Sequence, residues 1–197
     1  MRIAISSLSG CGNTTVSRLV AERLKHQFIN YTFRNLALDL KMPFEKVQNE
    51  SKRTPKYDYD VDRRQVALIE KTPHCVVGSR LAVWLDDDRL ENKIGVKAPP
   101  FDLKVWIYAP LNERAKRISK REKKTFAAVL EDTLFRDEEN EQRYLALYGI
   151  NVARFPRAVD VTVNTERFSA EQVAELIIAC AKKVKQNKAA KKKSGKK

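Results

Sequence analysis

Arg2-Ile3-Ala4-Ile5-Ser6-Ser7-Leu8-Ser9-Gly10-Cys11-Gly12-Asn13-Thr14-Thr15 is the stretch whose reading decides the fold. Residues 2–6 form a short apolar run suited to a buried strand. Over 14–25 the apolar residues Val16, Leu19, Val20 and Leu24 return at helical spacing. A strand, a glycine turn and a helix in that order bring backbone N–H groups and the positive end of a helix dipole to one point, which suits a phosphate. Ser7 to Thr15 align with the spacing Gly-x-x-x-x-Gly-Lys-Ser/Thr. Gly12 and Thr14 match it, Ser7 stands for the first glycine and Asn13 for the lysine. Gly10 and Gly12 let the backbone wrap phosphate oxygens, and Thr14 stands where a hydroxyl holds magnesium. A turn that merely joins strand to helix would share these glycines. Its place after the first strand of an alternating α/β chain, where ligands of that class bind, favours the phosphate reading.

Working outward, further apolar runs at 27–31, 74–78, 103–109 and 159–163 read as strands. Helical patterns fall at 33–40, 44–49, 61–71, 112–122, 125–148 and 169–183, the last opened by Ser169 and Gln172 in the spacing of a capping box. Pro55 and Tyr57-Asp58-Tyr59-Asp60 read as a break before the helix at 61. Strands alternating with helices predict an α/β domain with a mostly parallel five-stranded sheet covered on both faces.

The 197 residues suffice for one domain with appendages. The opening run is too short for a signal peptide, and no later run reaches the ~20 apolar residues of a membrane span. Cys11, Cys75 and Cys180 are sparse and lack metal-ligand spacing, which fits a reduced, cytoplasmic compartment. The net charge of +14 is concentrated at one end. Residues 182–197 hold nine lysines and no acid, leaving 30 basic against 25 acidic residues elsewhere. Self-repulsion and the lack of an apolar period predict a disordered tail there, suited at most to weak RNA contact or to solubility. It carries no aromatic residue for base stacking.

Moving a phosphoryl group requires positioning and charge neutralisation. Arginines sit where both would be delivered: Arg34 early in a helix, Arg80 just past a strand, Arg114, Arg117 and Arg121 on one helical face, and Arg136 and Arg143 seven apart on the next helix. Any one of them alone reads as a solvated surface charge.

These blocks together resemble the cytidylate kinases, in particular the short archaeal-type form within the nucleoside monophosphate kinases, over the chain to about residue 181. The carrying blocks are Gly10-Cys11-Gly12-Asn13-Thr14-Thr15, Phe33-Arg34, Asp58 with Asp62-Arg63-Arg64-Gln65, Ser79-Arg80-Leu81-Ala82 with Trp84, and Lys104 to Leu111 followed by the three arginines. Arg136-Asp137-Glu138-Glu139, Arg143-Tyr144, Tyr148-Gly149-Ile150 and Val163-Asn164-Thr165 complete the set. The chain departs from the family at Gly78, where the family carries an acid, at Ser7, and at the bulkier Asn30-Tyr31-Thr32.

The resemblance implies a three-layer P-loop NTPase fold over 1–181, with a helical monophosphate-binding lobe at about 32–72 and a lid at about 112–140. It implies transfer of the γ-phosphoryl group of ATP to CMP and dCMP with Mg2+, by a monomer. Ser7, Leu8, Ser9, Gly10, Cys11, Gly12, Asn13, Thr14 and Thr15 would bind ATP, with Thr14 on the metal. Arg34, Asp62, Arg80 and Arg143 would bind CMP, and Arg117, Arg121 and Arg136 would neutralise the transferred group. An AMP- or UMP-directed kinase, a binding module descended from a kinase, and an RNA-associated protein working through its lysine tail also fit these residues.

Overall fold

The computed structural model describes residues 1–194. Five parallel strands, β1 (Arg2–Ser6), β2 (Gln27–Ile29), β3 (Cys75–Gly78), β4 (Leu103–Tyr108) and β5 (Val161–Asn164), lie in the order β2-β3-β1-β4-β5. The predicted five-stranded parallel sheet is therefore present. Because each central strand is covered on both faces, successive residues enter different cores, which is why the strands read as unbroken apolar runs. Ile3, Ile5, Val105 and Ile107 meet Val16 and Val20 of α1 (Asn13–Leu24) and Val173 and Ile177 of α8 (Ala170–Ser194). Ala4, Val77 and Trp106 face the other way, toward Val66 and Ile69 of α4 (Lys56–Glu70), Leu90 of α5 (Asp88–Ile94) and Tyr148 of α7 (Phe126–Tyr148). Each fully buried aliphatic side chain of this kind contributes ~1.5–3 kcal/mol.

Two smaller helical groups flank the carboxyl end of the sheet. In the first, α2 (Phe33–Asp39), α3 (Phe44–Ser51) and part of α4 close over Leu36, Ala37 and Val47. In the second, α6 (Leu111–Glu122) packs on α7 through Ala115, Ile118 and Val129. None of the described helices is long and apolar enough to cross a membrane.

Three elements differ from the sequence reading. The stretch Tyr57 to Asp60 is the opening of α4, not a break. Pro55 needs no N–H at the N-cap, and Asp58 in the first turn faces the positive end of the dipole. Helix α5 went unread because it is short; Asp87 caps it by accepting from the Arg89 N–H at 2.9 Å, and Gly95 closes it at φ 76°. The expected disorder from 182 is not found over the described residues. Helix α8 continues to Ser194, since Lys, Ala and Gln are good helix formers and Lys188 pairs with Asp102 of the sheet body. Residues 195–197 of that expected tail lie outside the described residues. The capping box at the start of α8 is present: the Ser169 N–H donates to Gln172 Oε1 at 2.9 Å and the Gln172 N–H to Ser169 Oγ at 3.3 Å.

Candidate active site

The turn between β1 and α1 opens a cleft of about 610 Å³. Gly10 and Gly12 adopt φ 82° and 88°, where a side chain is strained, and they do different work. A Cβ on Gly10 would stand 2.9 Å from Arg114 Cβ, so its absence lets the loop lie against α6. A Cβ on Gly12 would meet nothing within 4 Å; there the bare backbone faces the cleft. The first turn of α1 has no acidic residue, so nothing in it competes with an anion for the N–H groups. Ser7, Leu8, Ser9, Gly10, Gly12, Asn13, Thr14 and Thr15 line the cleft. Cys11 does not: it is buried in the core, where burial pushes its thiol up, and its carbonyl accepts from Thr165 Oγ1 at 3.1 Å.

Asn13 and Gly78, both departures in the sequence, meet here. The Asn13 amide donates to the Ile5 carbonyl at 3.0 Å, and its Oδ1 accepts from Ser17 Oγ at 2.9 Å. Ile5 and Gly78 are register partners across β1 and β3. A Cβ on Gly78 would stand 2.6 Å from Ser17 Oγ and 2.9 Å from Asn13 Oδ1, so a glycine at 78 is what lets α1 sit this low.

The arginines separate into two groups. Arg80, Arg117, Arg121 and Arg136 line the cleft. Arg80 donates to Ser9 Oγ and, at 3.3 Å, to Asn140 Oδ1. Arg117 is held back by Glu113 at 2.9 Å and by the Thr165 carbonyl at 2.7 Å, and Arg121 pairs with Glu122. Arg34 and Arg143 are not brought to the cleft. The Arg34 guanidinium lies 4.3 Å from the Phe44 ring centroid. Arg143 grips both oxygens of Asp58, with Nε–Oδ1 2.8 Å, and donates to the Ser51 carbonyl at 2.6 Å. Arg114 is also structural: it is buried, paired with Asp137 at 2.6 Å, and bonded to the Ser9 carbonyl at 3.1 Å.

The far wall is built from α4 and α7. Asp62 is buried there and accepts from Tyr148 Oη at 2.5 Å. Burial drives its carboxyl up to about 7, with the Asp58 charge adding to the rise and the Tyr148 bond opposing it. Burial and the adjacent carboxylates keep Tyr148 well above the usual phenol range, so it remains a donor. Gln65 accepts from the Tyr31 N–H and donates to Ser79 Oγ, both at 3.2 Å. Tyr31 donates to Asp39 at 2.5 Å and is pushed up to about 12, mostly by burial. Sequence reasoning assigned no role to Asp137, Asn140 or Tyr144, although with Tyr148 they recur at three- and four-residue spacing along α7. A polar stripe of that kind on a long helix was the available signal. Among the described residues no group of three His, Cys, Asp or Glu side chains converges to hold a metal.

A model of the Cytidylate kinase-like family matches residues 2–167. The chain is 37% identical over 180 residues to cytidylate kinase 2 of Borreliella afzelii, covering 90% of this chain and 94% of that one. It is 34% identical over 189 residues to a cytidylate kinase of Archaeoglobus fulgidus, covering 94% and 98%. In fold it is similar to a shikimate kinase of Bacteroides thetaiotaomicron, with a TM-score of 0.60 at 13% identity over 92% of this chain and 98% of that one.

Proposed function

The chain belongs to the cytidylate kinase-like family, and from that membership we propose that it transfers the γ-phosphoryl group of ATP to CMP, giving ADP and CDP, and accepts dCMP as well. The observation that carries the reading is one cleft that joins an unobstructed glycine loop at a helix N-terminus to four facing arginines and a polar wall. The loop from Ser7 to Thr15 takes the donor phosphates, with Cys11 contributing backbone only. Arg117, Arg121 and Arg136 neutralise the transferred group, the first two after release from Glu113 and Glu122. Asp62 and Arg80 serve the acceptor. Arg143 acts on that side indirectly, by fixing Asp58, which lines the cleft. The acceptor phosphate is already an anion, so no general base is required.

Magnesium suits this site. Thr14 is exposed on the cleft beside the loop, and a small hard cation that keeps much of its water needs one hydroxyl and the nucleotide's phosphates, not a protein cage. When bound it would neutralise the charge on the donor phosphates. A coupled assay with ATP and Mg2+ against CMP, dCMP, UMP and AMP in turn tests the acceptor. CMP and dCMP should lead in kcat/KM; AMP or UMP leading would refute the choice of acceptor while leaving the kinase.

A further inference from the structure

A phosphate loop built on the lysine pattern places one cation against the donor phosphates, and this chain has asparagine there. Asn13 does not replace that cation. Both polar groups of its amide are used inside the protein, on the Ile5 carbonyl and on Ser17. Asn13, Ser17 and Gly78 instead form one packed unit that seats the start of α1 against the ends of β1 and β3, and only a residue without a side chain fits at 78.

Two residues past Gly78, Arg80 crosses back to the loop and hydrogen-bonds Ser9, the residue before Gly10. Its hydrogen-bond partners are the Ser9 hydroxyl and the Asn140 amide oxygen, and no carboxylate lies within ion-pair distance among the described residues. Arg114 is neutralised by Asp137, Arg117 by Glu113, and Arg121 by Glu122. Among the described residues Arg80 alone combines an uncompensated charge with a direct bond to the phosphate loop.

We propose that Arg80 is the donor-side cation of this site, bound to the oxygens of the ATP phosphates where a loop lysine would stand, in addition to facing the acceptor. This rests on the phosphoryl-transfer reading and extends it to a residue that the family resemblance places on the acceptor alone. The absence of a loop lysine at 13 is thereby answered by an arginine two residues past the end of β3.

The test is the binding of ATP and of ADP, each with Mg2+ and without CMP, to the wild type, Arg80→Gln and Arg80→Lys, by calorimetry. Glutamine retains hydrogen bonding toward Ser9 and Asn140 without charge, and lysine retains charge without the fork. Arg80→Gln should weaken ATP by about tenfold or more, and ADP by less, while Arg80→Lys stays within about threefold for ATP. ATP affinity of Arg80→Gln within about twofold of wild type would overturn the proposal and leave Arg80 on the acceptor. Equal losses in both variants would overturn it too, assigning the effect to the tether and not the charge. A wild type that binds neither nucleotide would refute the phosphoryl-transfer reading beneath it.

Discussion

Replacing Asp62 with asparagine should make the protein more stable at pH 8 and leave it little changed near pH 4. Asp62 is buried between α4 and α7, and its carboxyl is raised from 3.8 to about 7. A carboxyl raised by folding takes up a proton as the chain folds. The stability associated with that proton is fully present below pH ~4 and is lost as pH rises through 7. The shift is about three units, and at ~1.4 kcal/mol per unit the loss approaches ~4 kcal/mol. That is a large part of a domain's stability of roughly 5–15 kcal/mol. Asparagine nearly matches the carboxyl in shape, can accept the Tyr148 hydroxyl at the same 2.5 Å contact, and does not ionise. Asp58 is held by Arg143 in both proteins, and its repulsion of the ionised carboxyl, absent in the asparagine variant, is part of the difference. Urea unfolding at pH 4, 6 and 8, followed through the buried Trp84 and Trp106, gives the stability gap directly. The gap in favour of Asp62→Asn should widen by ~4 kcal/mol from pH 4 to pH 8. A gap independent of pH would refute the assignment of a buried, proton-binding Asp62.

Gly78→Ala forces a methyl against Ser17 and Asn13 and should cost ~1–3 kcal/mol in urea melts, with weaker ATP binding as α1 lifts; unchanged stability would mean that α1 is not seated on β3. Arg114→Met leaves the largely buried Asp137 without its partner and should cost ~3–5 kcal/mol, much of it recovered by adding Asp137→Leu, as thermal melts of the two variants would reveal. Thr14→Ala should weaken ATP binding in Mg2+ but leave binding in EDTA nearly unchanged; equal losses in both conditions would remove Thr14 from the metal.

The sheet was readable because buried parallel strands need apolar residues on both faces, so 2–6, 75–78 and 103–108 stand out without any tertiary knowledge. The loop was readable because glycine and a following helix serve phosphate through backbone alone. The arginines were harder, since spacing gives the face of a helix but not the competitor that takes the charge. Arg143 is claimed by Asp58, Arg114 by Asp137 and Arg34 by the ring of Phe44, each a partner on another segment of the chain or across a turn. Gly78 looked like a missing carboxylate. Its meaning depends on how closely α1 approaches β3, a distance that no local pattern records. The lysine run read as disorder because repulsion was counted without helix propensity or the anchoring contact to Asp102.

The most direct test of the account follows the phosphoryl group itself. With γ-labelled ATP, Mg2+ and CMP, the label should appear as the β-phosphate of CDP, one ADP forming for each CDP. Label released as inorganic phosphate, or retained in ATP, with no CDP formed would contradict it.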